Sequence, residues 1–349
     1  MKIGILTFHW GTNYGGVLQA YALQTYLRGL NCNVEIINYA PRTFRDSFFL
    51  CFKSKSMHAV KRNICDYLKE QKFKRFRKEN LNLSHVRYYN INDCERWIHR
   101  YDVIIVGSDQ VWNPYIALGY GWVYWLPIKS NVRKIAYAVS LGCEQYPVNV
   151  LNKVSNFIDD FDAIGVRENS AVKIIQSKFK GEVCVVPDPT ILLDYTYYMR
   201  FVKKNPSCRT CFMYVLQEKQ KIIAKIENLL HSDFDINRPD NNTWNQYSIE
   251  EWLSGIYNSG LVVTNSFHGL MFSLLFHKPF FVTLVEGSLS GMNDRIYTIL
   301  RYLGLEERII EDTETFMRIR ERPINWKKVD MKLEQLKNEG VKFLSINLL

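Results

Sequence analysis

Apolar residues along this chain come in short unbroken runs closed by polar turns, and the stretches between the runs repeat with the period of a helix. KIGILTF, NVEIINY, YDVIIVGS, RKIAYAVS, DAIGVRE and EVCVVPD each have the length of a strand buried on both faces. GGVLQAYALQTYLRGL and NVLNKVSNFIDD, which lie between them, have helical spacing. Continuous apolar strands alternating with helices predict a parallel sheet covered on both sides, here over residues 1–195.

A tyrosine-rich, then basic, proline-containing stretch, LLDYTYYMRFVKKNPSCRT, reads as a connector, after which the alternation restarts. CFMYVL, LVVTN and FFVTLV predict strands, and KQKIIAKIENLLH, SIEEWLSGIYNS and LMFSLLFH predict helices, giving a second, smaller α/β unit over 196–325. Between His231 and SIEEWL stands only HSDFDINRPDNNTWNQY, which shows no strand, so the second sheet is expected to be abbreviated. The tail, 326–349, carries the amphipathic helix NWKKVDMKLEQLKNEGVKFL. Two such units predict a groove between them, bordered by the carboxyl ends of the strands. Polar residues directly after each strand are therefore the candidates for chemistry.

The length of 349 residues suits two units. MKIGILTF has one lysine and a brief apolar run that ends at Gly11-Thr12-Asn13, which reads as a first strand rather than a secretory leader. The chain is accordingly expected in the cytoplasm, and no run approaches the roughly 20 apolar residues of a membrane span. Among the eight cysteines the one tight pair is Cys208 and Cys211, half of a metal site with no second half nearby, so ordinary reduced cysteines and no metal are expected.

The net charge of +10 is uneven: ten Lys or Arg lie between Lys53 and Lys78 against Asp66 and Glu70. Ile64, Tyr67, Leu68, Phe73 and Phe76 keep near-helical spacing among them. The segment reads either as a solvated basic helix with one face on the core, or as a surface for an anionic membrane or a polyanionic substrate. No nucleic-acid motif accompanies it, and no nucleic-acid partner is expected.

Five strand ends carry the candidate chemistry. In TFHWGTNYGGVLQAYAL, a turn with Gly11, Asn13, Gly15 and Gly16 opens a helix, and it is either a tight connection or a place where backbone N–H groups meet a ligand. It is not the glycine pattern of a dinucleotide site. In YDVIIVGSDQVWNP, Gly107 is followed by Ser108, Asp109, Gln110, Trp112 and Asn113, hydrogen-bonding groups beside an aromatic plane, which suits a sugar; Asp109 as a plain cap is the alternative. DAIGVRENSAVKII places Arg167 and Glu168 before a helix, and arginine offers a fixed fork for carboxylate or phosphate, or else a structural ion pair. LVVTNSFHG sets Ser266, His268 and Gly269 at a helix start, where histidine can meet an anion or move a proton near neutral pH, and Gly269 is expected to permit close approach. EGSLSGMNDRIYTIL puts Asn293 and Arg295 after a Gly/Ser-rich loop that either closes over a ligand or merely connects.

Taken in order, TFHWGTNYGGVLQAYAL, VGSDQVWNP, IGVRENSAVKII, VPDPTILL, SIEEWL and VVTNSFHGLMFSLLFHKPFF resemble the polysaccharide pyruvyl transferase family. The resemblance implies two Rossmann-like domains of the B-type glycosyltransferase kind with a C-terminal helix returning to the first domain. It also implies transfer of the enolpyruvyl unit of phosphoenolpyruvate to sugar hydroxyls as a ketal, with phosphoenolpyruvate as donor and no cofactor. On that resemblance Arg167 and His268 serve phosphoenolpyruvate, the first as a charge clamp and the second in proton transfer or phosphate binding. Asp109 is the expected base for the sugar hydroxyl, with Gln110 and Asn113 holding it and Trp112 stacking on the ring. The acceptor side is expected in 1–195 and the donor side in 196–325, with a glycan acceptor, lipid-linked if the basic segment 53–78 touches the inner face of the plasma membrane. A nucleotide-sugar glycosyltransferase of the same fold and a non-catalytic glycan-binding relative are the alternatives.

Overall fold

The computed structural model describes residues 1–41, 56–116, 119, 122–216, 221–239 and 244–348. They form two compact units, one of Met1–Asp46, Lys74–Leu193 and Gln335–Leu349, the other of Ser47–Phe73 and Asp194–Glu334.

The first unit is a six-stranded parallel sheet. Its strands are β1 (Lys2–Leu6), β2 (Asn33–Ile36), β3 (Val103–Val106), β4 (Arg133–Val139), β5 (Ala163–Val166) and β6 (Val183–Val185), in the order β2-β1-β3-β4-β5-β6. Every residue of β3 and β5 is buried, which is why VIIV and AIGV are apolar throughout instead of alternating. Helix α1 (Tyr14–Gly29) is buried at each position from Tyr14 to Gln24. Small and apolar residues at Gly15, Gly16, Ala20 and Ala22 answer that demand, and Gln24 is satisfied by the backbone of Asn80 and Asn82.

The basic segment forms α2 (Met57–Asn80), whose residues 57–73 belong with the second unit, whereas the expected boundary left all of them in the first. Its charges are also divided. Lys61, Arg62, Lys74, Arg75 and Lys78 are exposed, but Lys72 donates to the carbonyl of Gln246 and pairs with Glu251 at 2.8 Å, and the largely buried Arg77 donates to the carbonyl of Gly11 at 3.2 Å. Phe73 and Phe76 are fully buried. Lys53 and Lys55 of the expected membrane segment lie outside the described residues. Two further helices, α3 (Val148–Ile158) and α4 (Asn169–Gln176), follow β4 and β5.

In the second unit, β7 (Ser207–Tyr214), β8 (Asp235–Asn237), β9 (Ser259–Thr264) and β10 (Phe280–Val282) form a parallel sheet in the order β10-β9-β7-β8. β8 corrects the expectation of a strandless stretch: Asp235, Ile236 and Asn237 pair with Thr210, Cys211 and Phe212. It is a three-residue edge strand with one apolar member, too short to print a period. Around the sheet lie α5 (Lys221–Leu230), α6 (Ile249–Asn258), α7 (Phe267–Leu275) and α8 (Asp294–Leu303). α6 opens with a Ser248/Glu251 capping box, and α8 closes on Gly304 at φ 72°, a left-handed position that favours glycine.

Cys208 is exposed and Cys211 buried on β7, and burial pushes the Cys211 thiol up to about 12. The last helix, α9 (Trp326–Leu348), packs in the first unit from Gln335 onward, where Phe343 lies 6.0 Å from the Tyr137 ring. Among the described residues no helix is long and apolar enough to cross a membrane.

Candidate active site

In the first unit the strand order reverses between β1 and β3, so the loops leaving these strands diverge and leave a crevice at their carboxyl ends. Phe8 and Trp10 follow β1 there, and Asp109 and Gln110 follow β3. Together with Asn13 and Gly16 of the α1 start they line a cleft of about 200 Å³. Asn13 caps α1 by accepting from the N–H of Gly16 at 3.2 Å. A methyl group on Gly16 would sit 3.3 Å from Asp109 Oδ2 and 3.4 Å from the Phe8 carbonyl, so glycine here lets the helix start approach the carboxylate. Gly15 is buried in the same turn.

Asp109 is 4% exposed and adopts φ 74°, a conformation costly for a residue with a side chain. Several strand ends enforce it. Gln19 of α1 accepts from the N–H of Ser108 at 3.1 Å and donates to Thr7 Oγ1 at 2.9 Å, while Thr7 Oγ1 donates to the Ser108 carbonyl at 2.9 Å. The Ser108 hydroxyl donates to the Ala138 carbonyl at 3.0 Å and accepts from Arg167. Beyond β4, Ser140 donates its N–H to the Asp109 carbonyl at 2.9 Å.

Arg167 follows β5 and Asp188 follows β6, and both turn towards this point. The guanidinium lies 2.7 Å from Asp188 Oδ2 and 3.8 Å from Asp109 Oδ1, with all three side chains at most 5% exposed. The other oxygen of Asp188 accepts from the N–H and hydroxyl of Thr190 at 2.9 and 2.7 Å. One arginine therefore joins two buried carboxylates contributed by separate strands. Glu168 points into a different network: it accepts from Ser140 Oγ and from the N–H groups of Leu141 and Gly142 at 3.1, 2.6 and 3.0 Å, holding the loop after β4.

The sugar-stacking role expected for Trp112 does not survive its placement. Its ring is fully buried, lies parallel to Trp125 at 6.5 Å, meets Phe161 edge-on, and donates its N–H to the Tyr124 carbonyl at 2.8 Å. Packed on both sides, it has no face for a ligand; among the cleft residues the rings are Phe8 and Trp10. Asn113 holds Gln110, donating to its Oε1 at 2.7 Å, and the two press against Gly142, where a methyl would fall 2.3 Å from Gln110 Oε1. Ser108 is likewise a buried brace between strands rather than a group lining the cleft.

In the second unit α7 begins with Ser266 as its cap, accepting from the N–H of Gly269 at 3.4 Å, so that His268 occupies the first turn after β9. His268 is 5% exposed, and its ring meets that of Phe267 edge-on at 5.3 Å. Arg295 of α8 lies over the Phe267 ring at 5.4 Å and donates to the Met292 carbonyl, so the ring sits beside both the histidine and the cation. Gly269 serves packing: a methyl there would meet Thr264 Oγ1 at 2.5 Å, which identifies the close approach as helix to strand instead of protein to ligand. Asn293 is used up bridging both backbone groups of Val285 at 2.9 and 2.8 Å, a brace for the loop and not a free substrate contact. His277, at the far end of α7, pairs with Asp330 at 2.7 Å and stacks on Trp326.

Sequence reasoning thus named Asp109, Arg167 and Ser108, which the fold gathers, and Ser266, His268, Gly269 and Arg295, which cluster in the other unit. It passed over Trp10, Phe8 and Asp188. Asp188 obeyed the strand-end rule in VVPDP, and Trp10 stood openly in TFHWGTN. Among the described residues no group of three or more His, Cys, Asp or Glu is arranged to hold a metal ion.

The fold has counterparts among solved structures. The chain is similar to S. aureus MnaA bound to UDP (11% identity, 100% of this chain and 97% of the other, TM-score 0.54). It is also similar to UDP-N-acetylglucosamine 2-epimerase from Rickettsia bellii (7% identity, 99% and 96%, TM-score 0.53), and to an alpha-glucosyltransferase in complex with UDP (10% identity, 98% and 96%, TM-score 0.50). At such identities the likeness establishes the fold alone, the two-domain α/β architecture of B-type glycosyltransferases. A search of curated proteins found no match. The description of one family does fit the sequence, over residues 13–285, a span that holds every strand-end motif from Asn13 to His268, and the chain belongs to the polysaccharide pyruvyl transferase family.

Proposed function

We propose that this protein moves the enolpyruvyl unit of phosphoenolpyruvate onto hydroxyls of a bacterial-type surface or exopolysaccharide glycan, closing a pyruvate ketal and releasing phosphate. The observation that carries the reading is the setting of Asp109: a carboxylate steadied by Arg167 on one side and bordering, on the other, a cleft whose described lining contains no cation. A neutral hydroxyl can enter such a cleft and present its proton to the carboxylate, whereas a doubly charged donor is disfavoured there. Membership of the polysaccharide pyruvyl transferase family supports a pyruvyl donor for this acceptor reading.

In this reading His268 delivers a proton to the methylene carbon of phosphoenolpyruvate, or holds its phosphate at the start of α7, where backbone N–H groups favour an anion. Protonation leaves an oxocarbenium-like centre at C2. One sugar oxygen bonds to C2 as its proton passes to Asp109; the C2–O bond to phosphate then breaks, and a neighbouring hydroxyl bonds to C2 with loss of its own proton. Arg167 takes a different role from the one its motif implied: paired to Asp109 and Asp188, it positions the base instead of clamping the donor. The proposed acceptor is a lipid-linked glycan on the cytoplasmic side, met by the exposed lysines of α2.

Mass spectrometry of candidate glycans incubated with the protein and phosphoenolpyruvate tests the proposal. The expected product carries a pyruvate ketal, with phosphate released in equal amount. Release of a nucleotide from a nucleotide sugar, with no phosphoenolpyruvate consumed, would overturn it.

A further inference from the structure

The cleft at the β1/β3 reversal is narrow in kind as well as in size. Its volume of about 200 Å³ is below the roughly 300–1,000 Å³ of pockets that enclose drug-sized molecules, which leaves room for one ring. Phe8, Trp10, Val17 and Ile116 supply apolar wall, Asn13 and Gln110 supply amide groups, and Asp109 is the one charged residue lining it among those described. Trp10 is held in place by its N–H donated to the Tyr124 hydroxyl at 3.4 Å and by the Phe8 ring, edge-on at 6.1 Å. Phe8 is itself held edge-on by Tyr124 at 4.9 Å. Unlike Trp112, Trp10 is only partly buried.

We infer that this cleft is the subsite for the reacting ring of the acceptor, and that it takes a neutral pyranose seated with its apolar C–H face on Trp10 and a hydroxyl towards Asp109. The inference rests on the reading that the first unit binds the acceptor, and it goes further in naming the platform and the charge class. A pyranose has one face of axial C–H bonds that suits an aromatic wall, and amides pair with its hydroxyls. Two carboxylates, Asp109 and Asp188, share the one guanidinium of Arg167, and this negative balance beside the cleft sets the charge class. A uronic acid or sulfated ring would place a further negative charge within a few ångströms of Asp109, and close like charges in a partly desolvated site repel one another.

Saturation-transfer NMR on the full chain, with methyl glycosides of neutral hexoses and of the matching uronic acids, tests this without phosphoenolpyruvate. Neutral glycosides are expected to receive saturation, strongest at the C–H protons of one ring face, and uronosides at least tenfold less. Trp10→Ala and Trp10→Leu are expected to lose the signal and Trp10→Phe to keep most of it, with thermal melting checked for each. No saturation of any neutral glycoside, equal saturation of uronosides, or an unchanged signal in a folded Trp10→Leu protein would each overturn the inference. Sugar binding that depends on Trp10, in a protein that never consumes phosphoenolpyruvate, supports the subsite and removes the transferase reading alone.

Discussion

Removing the Arg167 side chain is the most informative single perturbation of the first unit. The guanidinium side chain is 2% exposed and lies between the side chains of Asp188 and Asp109, themselves 0% and 5% exposed, so Arg167→Ala removes the cation that both buried carboxylates share. Breaking a buried pair by deleting one partner costs about 3–5 kcal/mol. For a unit of this size each kcal/mol lowers the melting temperature by about 2–4 °C, so a drop of about 6–20 °C is expected at pH 7. Arg167→Ala with Asp188→Asn, which removes one stranded charge and keeps an acceptor for Thr190, should recover about half of the loss. Differential scanning fluorimetry at pH 7 reads both effects. A melting temperature within about 2 °C of the unaltered protein at pH 7 would refute the argument, because it would mean the two carboxylates do not depend on Arg167.

Three other outcomes follow from particular contacts. Gly269→Ala should destabilise by roughly 1–3 kcal/mol and depress turnover through a displaced His268, since its methyl group would collide with Thr264 Oγ1, which is fixed by a bond to the Tyr214 carbonyl; unaltered melting and turnover would contradict that packing. His9 is 2% exposed, and burial lowers its pKa from 6.5 to about 4, so the unfolded chain binds the proton first and stability is lost as pH falls from about 6.5 towards 4, by about 3 kcal/mol. Urea titrations across that range should show a shallower acid loss in His9→Gln, and an identical slope would exclude His9 as a source. Reversing the exposed Lys74 and Lys78 to Glu should weaken sedimentation with anionic liposomes without lowering the melting temperature, while Lys72→Glu, which breaks the Glu251 pair, should lower it; unchanged liposome binding would remove the membrane contact from the proposal.

Much of the fold is legible in the sequence because buried parallel strands must be apolar throughout. β1, β3, β4 and β5 stand out as such runs, whereas β2 (NVEI), at the sheet edge, alternates, and the helices between them show their period. β8 escapes because an edge strand of three residues, Asp235–Asn237, has one neighbour to satisfy and no face to alternate. α2 is legible as a helix, but not the division of its charges, since Lys72 and Lys74 look alike until a carbonyl of Gln246 is found beside the first.

The amino-acid sequence by itself determined the class of architecture, the strand ends other than that of β8, and the motifs Gly107-Ser108-Asp109, Val166-Arg167-Glu168 and Ser266-Phe267-His268 from which the candidate chemistry is drawn. Local rules suffice there, because strand period, capping and turn chemistry act within a few residues. Which side chains share a charge, and which aromatic ring is open, was decided only by the tertiary structure. Asp109, Arg167 and Asp188 leave different strands of one sheet, and strand order, which local sequence does not encode, brings both carboxylates within 4 Å of the guanidinium. The same holds for the two tryptophans. Each follows a strand in a polar loop, yet Trp112 turns inward onto Trp125 while Trp10 stands at the β1/β3 reversal, where diverging loops leave a ring-sized space.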